Sequence, residues 1–200
     1  MRKMIFGSVI ALSALLIAAG PGPVVWNVDV PHTGIEFTVK HFFTPITGQF
    51  DDYEIELMYD RQQPANSSVS VRIDVASVNT GNEERNNHLM SEDFFEADKY
   101  PYITFSSEQV TQVSPDELLA RGPLQIKDRV HEVELRIKLL GVKDIPEQMR
   151  AMLGGVSEVA SFQTELRIDR SDYGVGVGSW AAALVVGHTV DISIAVEANR

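Results

Sequence analysis

The chain has five histidines, and three of them stand next to groups that could work with them. His41 directly follows Lys40, His88 comes three residues after Arg85, and His32 lies in a stretch opened by Asp29. An imidazole titrates near neutral pH, and beside a fixed cation it can move a proton or help hold an anion. Arginine and lysine are the expected partners of a phosphate or diphosphate. The plainer role for the same side chains is to pin turns by hydrogen bonds. No pair has the spacing of a zinc ligand set, and the absence of cysteine removes thiolate ligands and thiol chemistry, so neither a metal nor a cofactor is expected. His131 and His188 read as surface or turn residues.

Motifs of covalent or phosphate chemistry are missing: there is no G-x-S-x-G, H-E-x-x-H or P-loop pattern. Gly174, Gly176 and Gly178 lack the strand, helix and later acid of a dinucleotide site and read as a loop. Asp51 and Asp52 are adjacent, and on extended backbone adjacent side chains point apart, which is poor geometry for a paired acid and base. No catalytic residue is assigned, and the chain does not read as an enzyme.

The elements that would position these residues are strands. Ile35, Phe37 and Val39 alternate with polar residues, as do Val69, Val71, Ile73 and Val75. Later runs place Val133, Leu135, Ile137 and Leu139 on one face, then Phe162, Leu166 and Ile168, then Val190, Ile192, Ile194 and Val196. Weaker runs cover residues 26–30, 102–113 and 118–127. Between Phe50 and Ile55 the apolar parity slips, which predicts a bulge or corner at Asp51 and Asp52. Ser114-Pro115-Asp116-Glu117 suits a type I turn, and Lys127 to Val130 a tight hairpin. The exception is Thr80 to Asp98, where Thr80 and Glu83 have capping-box spacing and predict one or two short helices, with Ser91 capping a second turn. A smaller helix is expected from Pro146 to Leu153, stopped by Gly154. Eight or nine antiparallel strands in one domain must close into a barrel or split into a sandwich, and the alternation fits either.

Arg2 and Lys3 precede an apolar run from Met4 to Ala19, which is short for a membrane span and reads as a signal peptide over residues 1–22. Residues 23–200 then form one exported domain, held together without disulfides. The formal charge of −11 becomes two units more negative once Arg2 and Lys3 leave, with no basic stripe. Nucleic acid and anionic membrane surfaces are therefore poor partners, and no nucleic acid is expected.

Three blocks carry a resemblance. Asp29, Pro31, His32 and Thr33 lead to Phe37, Val39, Lys40 and His41, then to Gly48, Gln49 and Phe50. Arg85, Asn86, His88, Leu89, Ser91, Asp93, Phe94, Phe95, Tyr100, Pro101, Thr104 and Phe105 form the longest ordered block, and Ile168, Arg170, Ser171, Asp172, Tyr173 and Gly174 the third. Together they resemble the YceI-like polyisoprenoid-binding family over nearly the whole mature chain. Asn86 departs from the usual acid at its place, and Asp128 with Arg129 from a glycine turn.

The resemblance implies an all-β, lipocalin-like, eight-stranded antiparallel barrel in the periplasm, with a tunnel holding a long isoprenoid for transport, storage or sequestration. It implies an isoprenoid lipid as partner, with transient membrane contact, for a monomer or homodimer. The expected lining is Ile35, Phe37, Val39, Phe50, Leu57, Val71, Ile73, Phe105, Leu124, Ile126, Val133, Leu135, Ile137, Phe162, Leu166, Ile168, Val190, Ile192 and Ile194. His32, Lys40, His41, Arg85 and His88 are expected to gather near one end and contact a head group. An isoprenoid-modifying enzyme built on His41, Arg85 and His88 is the alternative, and a packed core without ligand is another.

Overall fold

In the computed structural model, which describes residues 24–182 and 184–200, the alternating runs become twelve strands of one antiparallel sheet. The expected leader, residues 1–22, lies outside the described residues. In chain order the strands are β1 (Val24–Val28), β2 (Gly34–His41), β3 (Thr44–Phe50), β4 (Tyr53–Tyr59), β5 (Ser68–Asp74), β6 (Val78–Asn79), β7 (Tyr102–Ser106), β8 (Gln109–Ser114), β9 (Glu117–Ile126), β10 (Arg129–Asp144), β11 (Glu158–Asp169) and β12 (Val186–Asn199).

These segments occupy eight positions around a closed barrel, because several positions are broken into two. β1 and β2 share one, interrupted by a 3-10 turn at Val30–His32 that Pro31 favours by its fixed φ. β3 and β4 share the next, bent at Asp51 and Asp52, where the parity slip predicts a corner. β7 and β8 both pair with β9, and at their junction Gly122 lies under the Ser106 carbonyl, where no Cβ would fit. Closure comes from β12, which pairs β11 along one edge and both β1 (Val28 with Ala198) and β2 (Ile192 with Phe37) along the other. Corners of this kind let strands wrap a small barrel. They also explain why counting alternating runs gives fewer strands than the structure contains.

The barrel has two distinct ends. At the upper end lie the β2–β3 tip at Phe42 and Phe43, the segment 75–101, the Lys127–Asp128 hairpin and the connection 170–185. The segment 75–101 carries α1 (Glu83–Met90). Its N-cap is Asn82, whose side chain accepts from the Arg85 N–H, not Thr80 as the capping-box spacing predicts. Thr80 is occupied elsewhere: its N–H and hydroxyl both donate to Asn86 Oδ1, at 2.9 and 2.6 Å. Ser91 ends α1 rather than starting a second helix, donating from N–H and hydroxyl to the His88 carbonyl.

The lower end is closed. Trp26 (3% exposed), Tyr59 and Phe162 pack in sequence across it, tilted and then edge to face, with ring centroids 6.0 and 5.3 Å apart. The Trp26 indole N–H donates to the Tyr59 carbonyl at 3.1 Å, so the buried indole keeps a partner. Beside them the buried Glu158 pairs with Arg200 and Arg61, and Arg200 lies over the Trp26 ring at 5.3 Å. The expected helix after Pro146 is present as α2 (Glu147–Arg150), continued by a 3-10 turn to Leu153 and stopped at Gly154 with φ 66°.

Candidate ligand tunnel

Inward-facing side chains leave the barrel hollow in two adjoining lobes. The upper lobe has a cavity volume of about 140 Å³ and the lower about 70 Å³, several times what one water needs. They share Val71, Leu135 and Ile194, which form a waist midway along the barrel. Sixteen of the residues expected to line a tunnel, among them Ile35, Phe37, Val39, Phe50, Ile73 and Phe105, wall the upper lobe. Leu57, Ile137 and Phe162 line the lower. Every one of these side chains faces the interior because alternation assigns its direction. With almost no polar surface, the lobes offer water few partners, which suits hydrocarbon.

Several lining residues lie outside the alternation signal. Leu89, Phe94, Phe95, Tyr173 and Val175 close the upper lobe from above and come from the segments 75–101 and 170–185. Thr164 faces the lower lobe from β11, between Phe162 and Leu166, and its buried hydroxyl has no hydrogen-bond partner.

Next to the upper lobe, on its outer side, lies a groove between α1 and the top of β2. Phe37, Val39, Leu89, Phe94 and Val186 belong to both spaces. The groove, about 430 Å³, is lined further out by Lys40, His41, Arg85, His88 and Trp180, with Glu84 on the same wall. The structure therefore brings four of the five expected polar residues to one mouth. Arg85 donates from Nε to the Thr80 hydroxyl at 2.8 Å and from Nη2 to the Thr80 carbonyl at 2.7 Å, so its cation is held without a carboxylate. His88 lies 3.1 Å from Asp93 and edges onto Phe94 and Trp180, with centroids 5.0 and 4.9 Å away. It joins α1 to the connection 170–185.

His32 is not at this mouth. It sits at the start of the strand that ends in His41, so the two are separated by the length of β2, roughly 25 Å at a strand's rise per residue. Its ring instead meets Asp29 at 3.0 Å and Glu197 at 3.9 Å on the outside wall. The hydrogen bond and charge of Asp29, followed by the charge of Glu197, hold the His32 pKa above its ordinary value. The 3-10 turn causes the pairing, since side chains three apart eclipse there. Among the described residues this is the one histidine–carboxylate group compact enough to consider for a metal, and it is exposed and remote from the tunnel.

A residue assigned no role from the sequence organises the upper end. Arg170 is 4% exposed and borders the upper lobe. Its five N–H groups all reach backbone carbonyls: Gly187, Val175, Gly176, Trp180 and Val186. Burial pulls its pKa below the usual arginine range, yet a guanidinium stays charged at neutral pH. The glycine-spaced segment serves this clamp. Gly174, Gly176 and Gly178 all have left-handed φ, and a Cβ on Gly176 would run into the Arg170 guanidinium and Phe94.

The fold and cavity define an up-and-down β-barrel with an apolar interior and one polar mouth. Residues 26–198 match the YceI-like domain model, and the chain belongs to that family. It is 30% identical to protein YceI of Shigella flexneri over 98% of this chain and 97% of that protein. Among solved structures, Burkholderia cenocepacia BcnA superposes with a TM-score of 0.75 at 24% identity, covering 86% of this chain and 99% of that one. A polyisoprenoid-binding domain from Saccharophagus degradans superposes at 0.59 and 17% identity, covering 87% and 97%.

Proposed function

We propose that this protein is a periplasmic carrier that holds a long isoprenoid lipid in its barrel, tail through the two lobes and polar group at the Lys40–Arg85 mouth. The observation that carries this reading is that two apolar lobes share lining residues with each other and, at the upper one, with a groove that ends in cations. Membership of the YceI-like family and the fold shared with a polyisoprenoid-binding domain support the tail chemistry. The leader-like residues 1–22 support export.

Energetics favour carriage over permanent capture. Each methylene taken from water is worth about 0.8 kcal/mol, but a bilayer already provides that burial, so exchange between bilayer and tunnel lies much nearer to balance than transfer from water. Binding is favoured over catalysis because the cation bordering the lobe, Arg170, has all five donors committed to backbone. In this reading His41, Arg85 and His88, which line the mouth, contact the head group.

Native mass spectrometry of the purified mature protein, with extraction of its lipids, tests the reading. A polyprenyl or isoprenoid-quinone adduct is expected. A barrel that stays empty when mixed with such lipids in detergent would overturn it.

A further inference from the structure

We propose that the β2–β3 tip is a bilayer-docking finger that seats the tunnel mouth against a lipid surface. Phe42 is 52% exposed and Phe43 94%, and beside them Leu184 is 76% exposed. Phe42 has a left-handed φ of 51°, a conformation that a bulky residue rarely adopts. Its N–H donates to the Val185 carbonyl at 2.7 Å, which ties the tip to the connection carrying Leu184. Two neighbouring loops therefore present apolar side chains together, on backbone already fixed.

The position identifies the partner. Lys40 and His41, immediately before the tip, line the mouth with Arg85, and none of the ion pairs among the described residues uses Lys40 or Arg85. Rings inserted among acyl chains would leave these cations at the depth of lipid phosphates. A second protein fits less well, because a stable interface needs on the order of 1,000 Å² and three side chains cannot supply it. A chain of formal charge −11 is not drawn to anionic surfaces over long range, so contact must come from apolar insertion and depend weakly on salt.

The proposal deepens the carrier reading, and two arms keep them separable. Phe42→Asn combined with Phe43→Ser removes both rings and puts at position 42 a residue tolerant of left-handed φ. Met152→Ser with Leu153→Ser alters an exposed apolar patch at the opposite end and serves as control. Co-sedimentation with phosphatidylethanolamine–phosphatidylglycerol vesicles is expected to fall about tenfold or more in the tip variant and to be unchanged in the control. Trp180 fluorescence should respond to these vesicles only when the tip is intact. Loading of polyprenol from detergent should survive in both variants. Wild-type protein that ignores the vesicles, or a tip variant that binds them as well as wild type, overturns docking. Vesicle binding without uptake from detergent would overturn the carrier reading alone.

Discussion

The two ends of the barrel rise from the same alternating strands and are finished in opposite ways. Below, large rings lie across the opening, and Trp26, Tyr59 and Phe162 form a floor stabilised by the Glu158–Arg200 pair. Above, two long connections are folded over the opening; the buried Arg170 holds the one from 170 to 185, Lys127 donates to the Phe94 carbonyl of the other, and a groove is left between α1 and β2. Side-chain packing fills space wherever rings meet, so it makes a plug. Hydrogen bonds from a guanidinium to carbonyls fix backbone without filling space, so they make a lid that keeps a passage.

The largest expected effect breaks the floor. Trp26→Ala removes a buried indole and should cost about 3–5 kcal/mol, read as a lower urea midpoint. A loss under about 1 kcal/mol would mean that the floor is not a packed unit. Next, Arg170→Met should cost about 3 kcal/mol, because it leaves five carbonyls without their charged donor. Its signature is regional: amide exchange should accelerate across residues 170–187 while β4 and β11 keep their protection. Equal acceleration at the floor would show that the ends are not independent.

Filling the waist separates the two lobes from inside. Leu135→Trp should cost about 1–3 kcal/mol by overpacking, and it should abolish binding of long tails while sparing tails short enough for the upper lobe. Detergent-mediated loading with a series of prenols checks this, and equal loss at every length would argue against lobes used in series.

The smallest effect concerns His32, outside both ends. Asp29 raises its folded-state pKa above 6.5, so the stabilisation is fully present below that unfolded value and disappears as pH rises through the folded one. Thermal melts of His32→Gln and wild type should differ most at acidic pH and converge at alkaline pH. The opposite trend would mean that the Asp29 contact does not favour the imidazolium.

The residues show how far the sequence reaches. The tunnel lining was legible because strand alternation assigns each side chain a side without reference to the rest of the fold. The place of His32 is legible too, and it contradicts the expected mouth contact: the alternating run between it and His41 is a strand, and a strand holds its two ends apart. Thr164 interrupts the apolar pattern and so gives no lining signal, although its even position on β11 gives it the same direction as Phe162 and Leu166. The Arg170 clamp left only a trace, glycines at every second place from 174 to 178, whose purpose emerges when residues 175–187 fold around a guanidinium.

Direction is thus written locally in the chain: the strands, their inward faces and the corner at Asp51 and Asp52 follow from neighbouring residues alone. The tertiary structure decided enclosure. Val71, Leu135 and Ile194 meet at one waist, and Lys40, Arg85 and Trp180 at one mouth, although long stretches of chain separate them. Direction follows from bonds between neighbouring residues, whereas a cavity and its opening depend on how distant strands close and where the loops between them come to rest.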